Sequence, residues 1–200
     1  GGVIRSPVTT WPLPVAAVAK DVMDDERLSR LSATQLIVVE RLRTRLMQSM
    51  HRDTFKPSGK LSLAANDKSL RIYENAPRGN GELQLQVEGL GANWAYRARF
   101  THVIDPEDNK GDRVDESYAA LSLGNWAVGA GAQTRWWGPG WESSLILSNN
   151  ARPIPSVFIQ RNQSAPFESP WLSWLGHWNL VTTLGQLESN RAVPRALFFG

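Results

Sequence analysis

The residues best suited to chemistry lie between Thr134 and Pro153. Trp136, Trp137 and Trp141 fall around Gly138-Pro139-Gly140, a tripeptide that makes a turn or tight loop. Indoles are costly to leave in water, so three together must pack against a core, a headgroup zone or a flat-faced ligand. Their faces can stack on the C–H faces of pyranose rings. Arg135 and Arg152 bracket the run and can pair with sugar carboxylates, while Asn149 and Asn150 offer amide donors and acceptors for hydroxyls. The run therefore predicts a stiff sugar-stacking platform with Trp136, Trp137, Trp141, Arg135, Arg152, Asn149 and Asn150 as its ligand-binding residues. The competing reading is plain packing or girdle contact, which suits Trp171, Trp174 and Trp178 better.

Other chemistries find no support. Three isolated His (51, 102 and 177) and no Cys give no metal-ligand spacing. A phosphate-cradling Gly loop and a nucleophile elbow are both missing from the sequence. Glu142, Glu168 and Glu188 could in principle form a carboxylate pair for glycoside cleavage, but nothing places two of them at the needed separation. A binding protein without cofactor, rather than an enzyme, is expected. A net charge of +3 does not call for a nucleic-acid partner.

The elements that must position the platform come in two kinds. Residues 1–58 read as a small helical bundle: Pro12 and Pro14 open a helix carrying Val15, Val18 and Val22, and Asp24 can cap a short second one. Ser32 with Gln35 forms a capping-box signal before a third helix with Leu36, Val39, Leu42, Leu46 and Met50 on one stripe. From residue 59 to 200 the period changes to two. Leu83, Leu85 and Val87 alternate with Gln84, Gln86 and Glu88. Trp94, Tyr96, Ala98 and Phe100 alternate with Arg97 and Arg99, and a further pair of strands covers roughly Val114–Leu123 and Trp126–Ala132. Residues 60–74 form either one strand or a hairpin through Asn66-Asp67. Alternation returns at Trp178–Leu184 and Arg195–Phe199, while 142–177 is too irregular for a plain meander and is expected to line or enter a lumen.

Only eight charged residues occur in 121–200, with no Lys after Lys110 and no Asp after Asp115. That region has no run of about 18 apolar residues, so a membrane helix is ruled out while a membrane β-wall is not. The apolar strand faces would then meet lipid, and Arg97 and Arg99 the lumen. The short turns near 89–93 and 124–125 share one end of the sheet, with Trp94 and Trp126 beside them like girdle residues. If short turns face the periplasm, the Trp136–Trp141 run lies outside the cell; counting from the helical end leaves either orientation open. Both chain ends look cut from something longer.

Five ordered blocks carry a family resemblance: Thr10-Trp11-Pro12-Leu13-Pro14; Gly124-Asn125-Trp126; Trp136 through Pro155; Pro166 through Gly176; and Gly185-Gln186-Leu187-Glu188 with Val193-Pro194. Together they resemble the Wzi family of capsule-assembly proteins. The resemblance implies an eighteen-stranded antiparallel transmembrane β-barrel of the bacterial outer membrane. Residues 59–200 would be its N-terminal portion and 1–58 a periplasmic helical bundle, so the fold class is mainly β with a small α region. It implies attachment of capsular polysaccharide, with outer-membrane lipid and other capsule-export components as further partners. A substrate-selective porin and a soluble β-sandwich carbohydrate-binding module are the alternatives.

Overall fold

The computed structural model describes residues 4, 10–13, 15–29, 31–51, 54–64, 77–106, 108–189 and 193–200. A two-residue strand, β1 (Thr10–Trp11), precedes three helices: α1 (Val15–Val22), α2 (Asp25–Leu28) and α3 (Ala33–Ser49). Ser32 caps α3 as its sequence predicts. Its side chain accepts from Gln35 N, and the Gln35 side chain accepts from Ser32 N, so two orphan donors of the first turn are satisfied. Val18, Ala19 and Val22 of α1 meet Leu28, Val39 and Leu46, with Leu13, Leu36 and Leu42 around them. Met50, the last residue of the expected stripe, stays exposed.

The strands follow: β2 (Lys56–Leu63), β3 (Gly81–Leu90), β4 (Trp94–Ile104), β5 (Asp112–Arg113), β6 (Tyr118–Leu123), β7 (Trp126–Gly131), β8 (Trp136–Trp137), β9 (Ser156–Arg161), β10 (Val181–Gln186) and β11 (Leu197–Phe199). Nine form one antiparallel sheet in the order β11-β10-β9-β7-β6-β4-β3-β2, with β5 beside β4. Among the described residues no pairing joins β2 to β11, so the sheet has two open edges. Strand pairing starts at Lys56, ahead of the expected boundary at 58/59. The choice between one strand and a hairpin over 60–74 falls largely on residues outside those described.

The strand expected from Val114 to Leu123 is broken. Glu116 has φ 68°, a left-handed conformation rare for a side chain with Cβ, and its carboxylate accepts from Thr134 N at 2.9 Å and from the Thr134 hydroxyl. That tie turns the chain aside between β5 and β6. The strand expected from Trp178 likewise begins only at Val181, Trp178 making an isolated bridge to Ala165.

Register sorts the faces. Leu61, Leu83 and His102 are successive partners, as are Leu85 with Phe100, Trp94 with Leu121, Leu121 with Val128, Val128 with Ile159, and Val157 with Leu184. This apolar face is open, with Leu85 56% exposed. The other face carries Lys60, Gln84, Gln86, Arg97, Arg99 and Thr101, where Arg97 binds Glu88 at 3.0 Å and Arg99 Nε donates to Gln86 at 2.8 Å. Glu82, Thr101 and Thr183 on this polar side are buried. A sandwich buries its apolar faces against each other. Here the arrangement is inverted, and the largest described apolar core lies in the helices instead.

Candidate functional site

The two ends of the sheet differ in how they are joined. At one end lie the tight β3–β4 and β6–β7 turns, the β9–β10 connection and the α3–β2 junction. Lys20 Nζ of α1 donates to Gln163 at 2.9 Å, tying the helices to this end. The other end carries the described parts of the connections 64–80, 105–117, 132–155 and 187–196.

The last three are clamped by ion pairs between side chains. Arg152 grips both oxygens of Asp115, at 2.8 and 3.0 Å, and reaches Glu188 at 3.3 Å; Lys110 lies 3.8 Å from Glu188. Arg78, at the end of the first connection, donates to three successive carbonyls, Asn149 (3.1 Å), Asn150 (3.4 Å) and Ala151 (3.0 Å). The hydrogen bond to Asp115 outweighs burial and raises the Arg152 pKa above its ordinary value, so this guanidinium is held charged in its pair.

The Trp run is folded back rather than extended. Trp136 and Trp137 pair with Trp11 and Thr10 in a two-stranded ladder, joining the segment ahead of the helices to a connection 126 positions later. Trp136 is 2% exposed, and its Nε1 donates to Gly140 O at 2.8 Å, closing the Gly-Pro-Gly turn. Trp137 N donates to Leu147 O at 3.1 Å and Leu145 N to Trp137 O at 3.0 Å, so 137–147 is a closed loop. Trp141 stands at its tip, 64% exposed, with Leu145 and Ile146 also in the open.

Arg135 is buried, its guanidinium 5.7 Å from the Phe158 ring centroid on the polar side of the sheet. Phe158 lies close because Gly129 opposite has no side chain; a Cβ there would stand 2.6 Å from the ring. Burial lowers the Arg135 pKa, and Glu116 acts against that shift. Asn149 is buried and Asn150 exposed. The seven predicted residues are therefore divided. Trp141 and Asn150 face solvent, Trp137 is half-buried, and Trp136, Arg135, Asn149 and Arg152 frame the loop. Of the three indoles, Trp136 is sealed beneath its own turn and Trp141 stands in the open.

A second aromatic cluster marks the short-turn end. Trp178 stacks on Phe167 at 4.7 Å, lies 6.2 Å from Trp126, and has Arg161 at 3.8 Å over its ring. Trp126 and Arg161 are register partners on the apolar face. Sequence reading missed a polar recess of about 170 Å³ on the opposite face, lined by Lys60, Gln84, Arg99, Thr101 and Arg113 with parts of the clamped connections. Alternation could place Gln84 and Arg99 on that face, but no local signal marks Arg78 or Arg113, which arrive from connections. A larger groove, about 470 Å³, lies on the helices against Met23, Met47, Met50 and His51 and offers few polar groups. No metal-ligand cluster occurs among the described residues.

Comparison with known proteins agrees with this architecture. Residues 54–200 match the family model described as capsule assembly protein Wzi. A 55.8 kDa protein from the cps region of Klebsiella pneumoniae, itself uncharacterised, is 27% identical over 208 residues, covering 100% of this chain and 39% of the relative. The solved structure of Wzi from Escherichia coli, described as an outer-membrane protein involved in group 1 capsule assembly and a carbohydrate-binding β-barrel, superposes with TM-score 0.81 at 23% identity. That match covers 98% of this chain and 44% of that one. The chain thus spans less than half the length of these two proteins.

Proposed function

The chain belongs to the Wzi capsule-assembly family, and from that premise we propose that it forms part of an outer-membrane β-barrel that holds capsular polysaccharide at the cell surface. It acts as a lectin and not as an enzyme. From Lys56 onward the chain supplies wall strands of an eighteen-stranded barrel, and the residues before it a helical bundle at the periplasmic end. Short turns facing the periplasm put the clamped connections outside, where a polymer can reach Trp141. Outer-membrane lipid covers the apolar strand face, and other capsule-export components are its further partners.

The observation that carries this reading is the inverted sheet, apolar outward and polar inward, roofed at one end by clamped loops that expose an indole. Strands of 10 and 11 residues, β3 and β4, reach far enough. At about 3.4 Å per residue and a tilt of roughly 40°, they cross an apolar band about 25 Å tall. Trp141 supplies the stacking face and Asn150 a hydrogen-bonding group, while Trp136, Trp137, Arg135, Asn149 and Arg152 hold the loop in shape. Capsule retention by cells carrying Trp141→Ala, measured beside a heat-shift gel for barrel folding, tests it. Normal folding with retention reduced severalfold supports the reading, at about 1 kcal/mol per stacked ring. Full retention with normal folding removes Trp141 from the site.

A further inference from the structure

The recess between the polar sheet face and the clamped connections has an ordered floor. Lys60 of β2 partners Gln84 of β3, Gln84 partners Thr101 of β4, and Thr101 partners Arg113 of β5. One row across four strands therefore reads cation, amide, hydroxyl, cation. Because register partners share a face, all four side chains leave the sheet on the same side. Arg99 lines the same space, and Arg78, Asp115, Glu116, Thr134 and Pro153 close over it.

The charges of the recess are not matched pair for pair. Its three carboxylates are each satisfied from within. Glu82 accepts from Arg78 N and from Gln84 Nε2, Asp115 is gripped by Arg152, and Glu116 is held by Thr134. Two of its cations, Arg113 and Lys60, are less committed. Arg113 is 4% exposed; it donates to Asp108 at 2.7 Å and to Lys110 O at 3.0 Å, yet its buried Nη1 has no acceptor among the described residues. Lys60 forms no ion pair among them. Gln84, having given Nε2 to Glu82, keeps its carbonyl oxygen for an incoming hydroxyl, and Thr101 can donate or accept. A buried donor without an acceptor costs free energy, and an anion seated there would recover it.

We infer that this recess is an anion subsite that takes one carboxylate-bearing sugar unit, a hexuronic acid or its like. The carboxylate meets Arg113 and Lys60, and ring hydroxyls meet Gln84 and Thr101. At about 170 Å³ the space falls below the roughly 300–1,000 Å³ of pockets for drug-sized ligands, which limits it to a single unit and not an oligosaccharide. The subsite rests on the reading of the protein as a polysaccharide binder, and it adds a charge-selective step behind the exposed Trp141.

The test uses the complete polypeptide in detergent micelles, titrated calorimetrically with sodium glucuronate, glucose, sodium acetate and inorganic phosphate. Glucuronate should bind at least tenfold more tightly than glucose and more tightly than acetate or phosphate, and weaken as salt rises. Lys60→Gln and Thr101→Val, neither of which removes a clamp, should each weaken glucuronate severalfold to tenfold with an unchanged heat-shift gel. Arg113→Gln should do at least as much, and if it fails to fold the other two variants decide. Equal affinity for glucuronate and glucose, or unchanged affinity in both Lys60→Gln and Thr101→Val, overturns the subsite. Acetate or phosphate binding as tightly as glucuronate reduces it to an adventitious ion only. Wild-type protein that binds capsule polymer but not glucuronate defeats the subsite and leaves the lectin reading standing. The reverse pattern keeps the subsite and defeats that reading.

Discussion

Two Trp–Arg clusters of nearly the same composition do opposite things in this molecule. Around Trp178, a ring on the apolar face is stacked on Phe167 and covered by Arg161, whose Nη1 also donates to Ala165 O and Trp178 O at 3.0 and 3.2 Å. Around Trp136, the indole is sealed beneath a Gly-Pro-Gly turn, and its Arg neighbour faces Phe158 on the polar side. The first cluster covers the face of a rim indole with a guanidinium, while the Trp178 Nε1 is buried without an acceptor among the described residues. The second is the keystone of a connection that must enter a polar space and still keep its shape. Indole plus guanidinium is thus a building material, and which face of the sheet it stands on decides its use.

Substitutions can break or sharpen that contrast. Trp136→Ala has the largest expected effect. Removing a buried Trp side chain costs about 3–5 kcal/mol and leaves the β1–β8 ladder without its packing, so the urea midpoint of the full-length barrel should fall sharply. A midpoint change no larger than that of Trp178→Ala would mean the two clusters are alike after all. Trp178→Ala loses one stack and one cation–π contact at a partly exposed rim, for about 1–2 kcal/mol. Its loss should also free the Arg161 region, seen as faster hydrogen exchange at Ser164–Trp178 with no change at Trp136.

Arg152→Gln comes next. The Arg152–Asp115 pair is bidentate but retains partial solvent access at both ends, so about 1–2 kcal/mol is expected once screening is allowed for. The measurable sign is proteolysis of the 105–117 and 187–196 connections, which should quicken while the strands stay protected. Trp141→Ala closes the series. An exposed side chain at a loop tip contributes within about 0.5 kcal/mol of stability, so its midpoint should match wild type while capsule retention falls. A stability loss as large as that of Trp136→Ala would erase the distinction between frame and contact within the run.

What was legible in the sequence was local. Period-two alternation in 83–88, 94–101 and 126–132 found β3, β4 and β7 and their faces, because each side chain in a strand reports its own side. The Ser32–Gln35 box found the start of α3. Features depending on distant partners were not legible. The pairing of Thr10–Trp11 with Trp136–Trp137 involves two residues on each side and leaves no periodicity to read. The break at Glu116 depends on Thr134, and the Arg78 grip on carbonyls depends on no side-chain type at positions 149–151. The candidate site divided for the same reason: Trp136 and Trp141 look equivalent in a sequence, and only the inward fold of the connection separates them.

The ladder between β1 and β8 carries a consequence for motion. The helices are held by the chain running into β2 on one side and by Thr10–Trp11 seated on Trp136–Trp137 on the other. A domain joined by one linker can swing. One fastened at both ends is bolted on two sides, and to swing aside it must first unzip the short ladder. Displacing the helices therefore breaks both the two Thr10–Trp11 pairs and the Lys20–Gln163 hydrogen bond, and release of the pairs disturbs the loop whose tip bears Trp141. A pull on the loop tip and a displacement of the helices would act on the same two residue pairs.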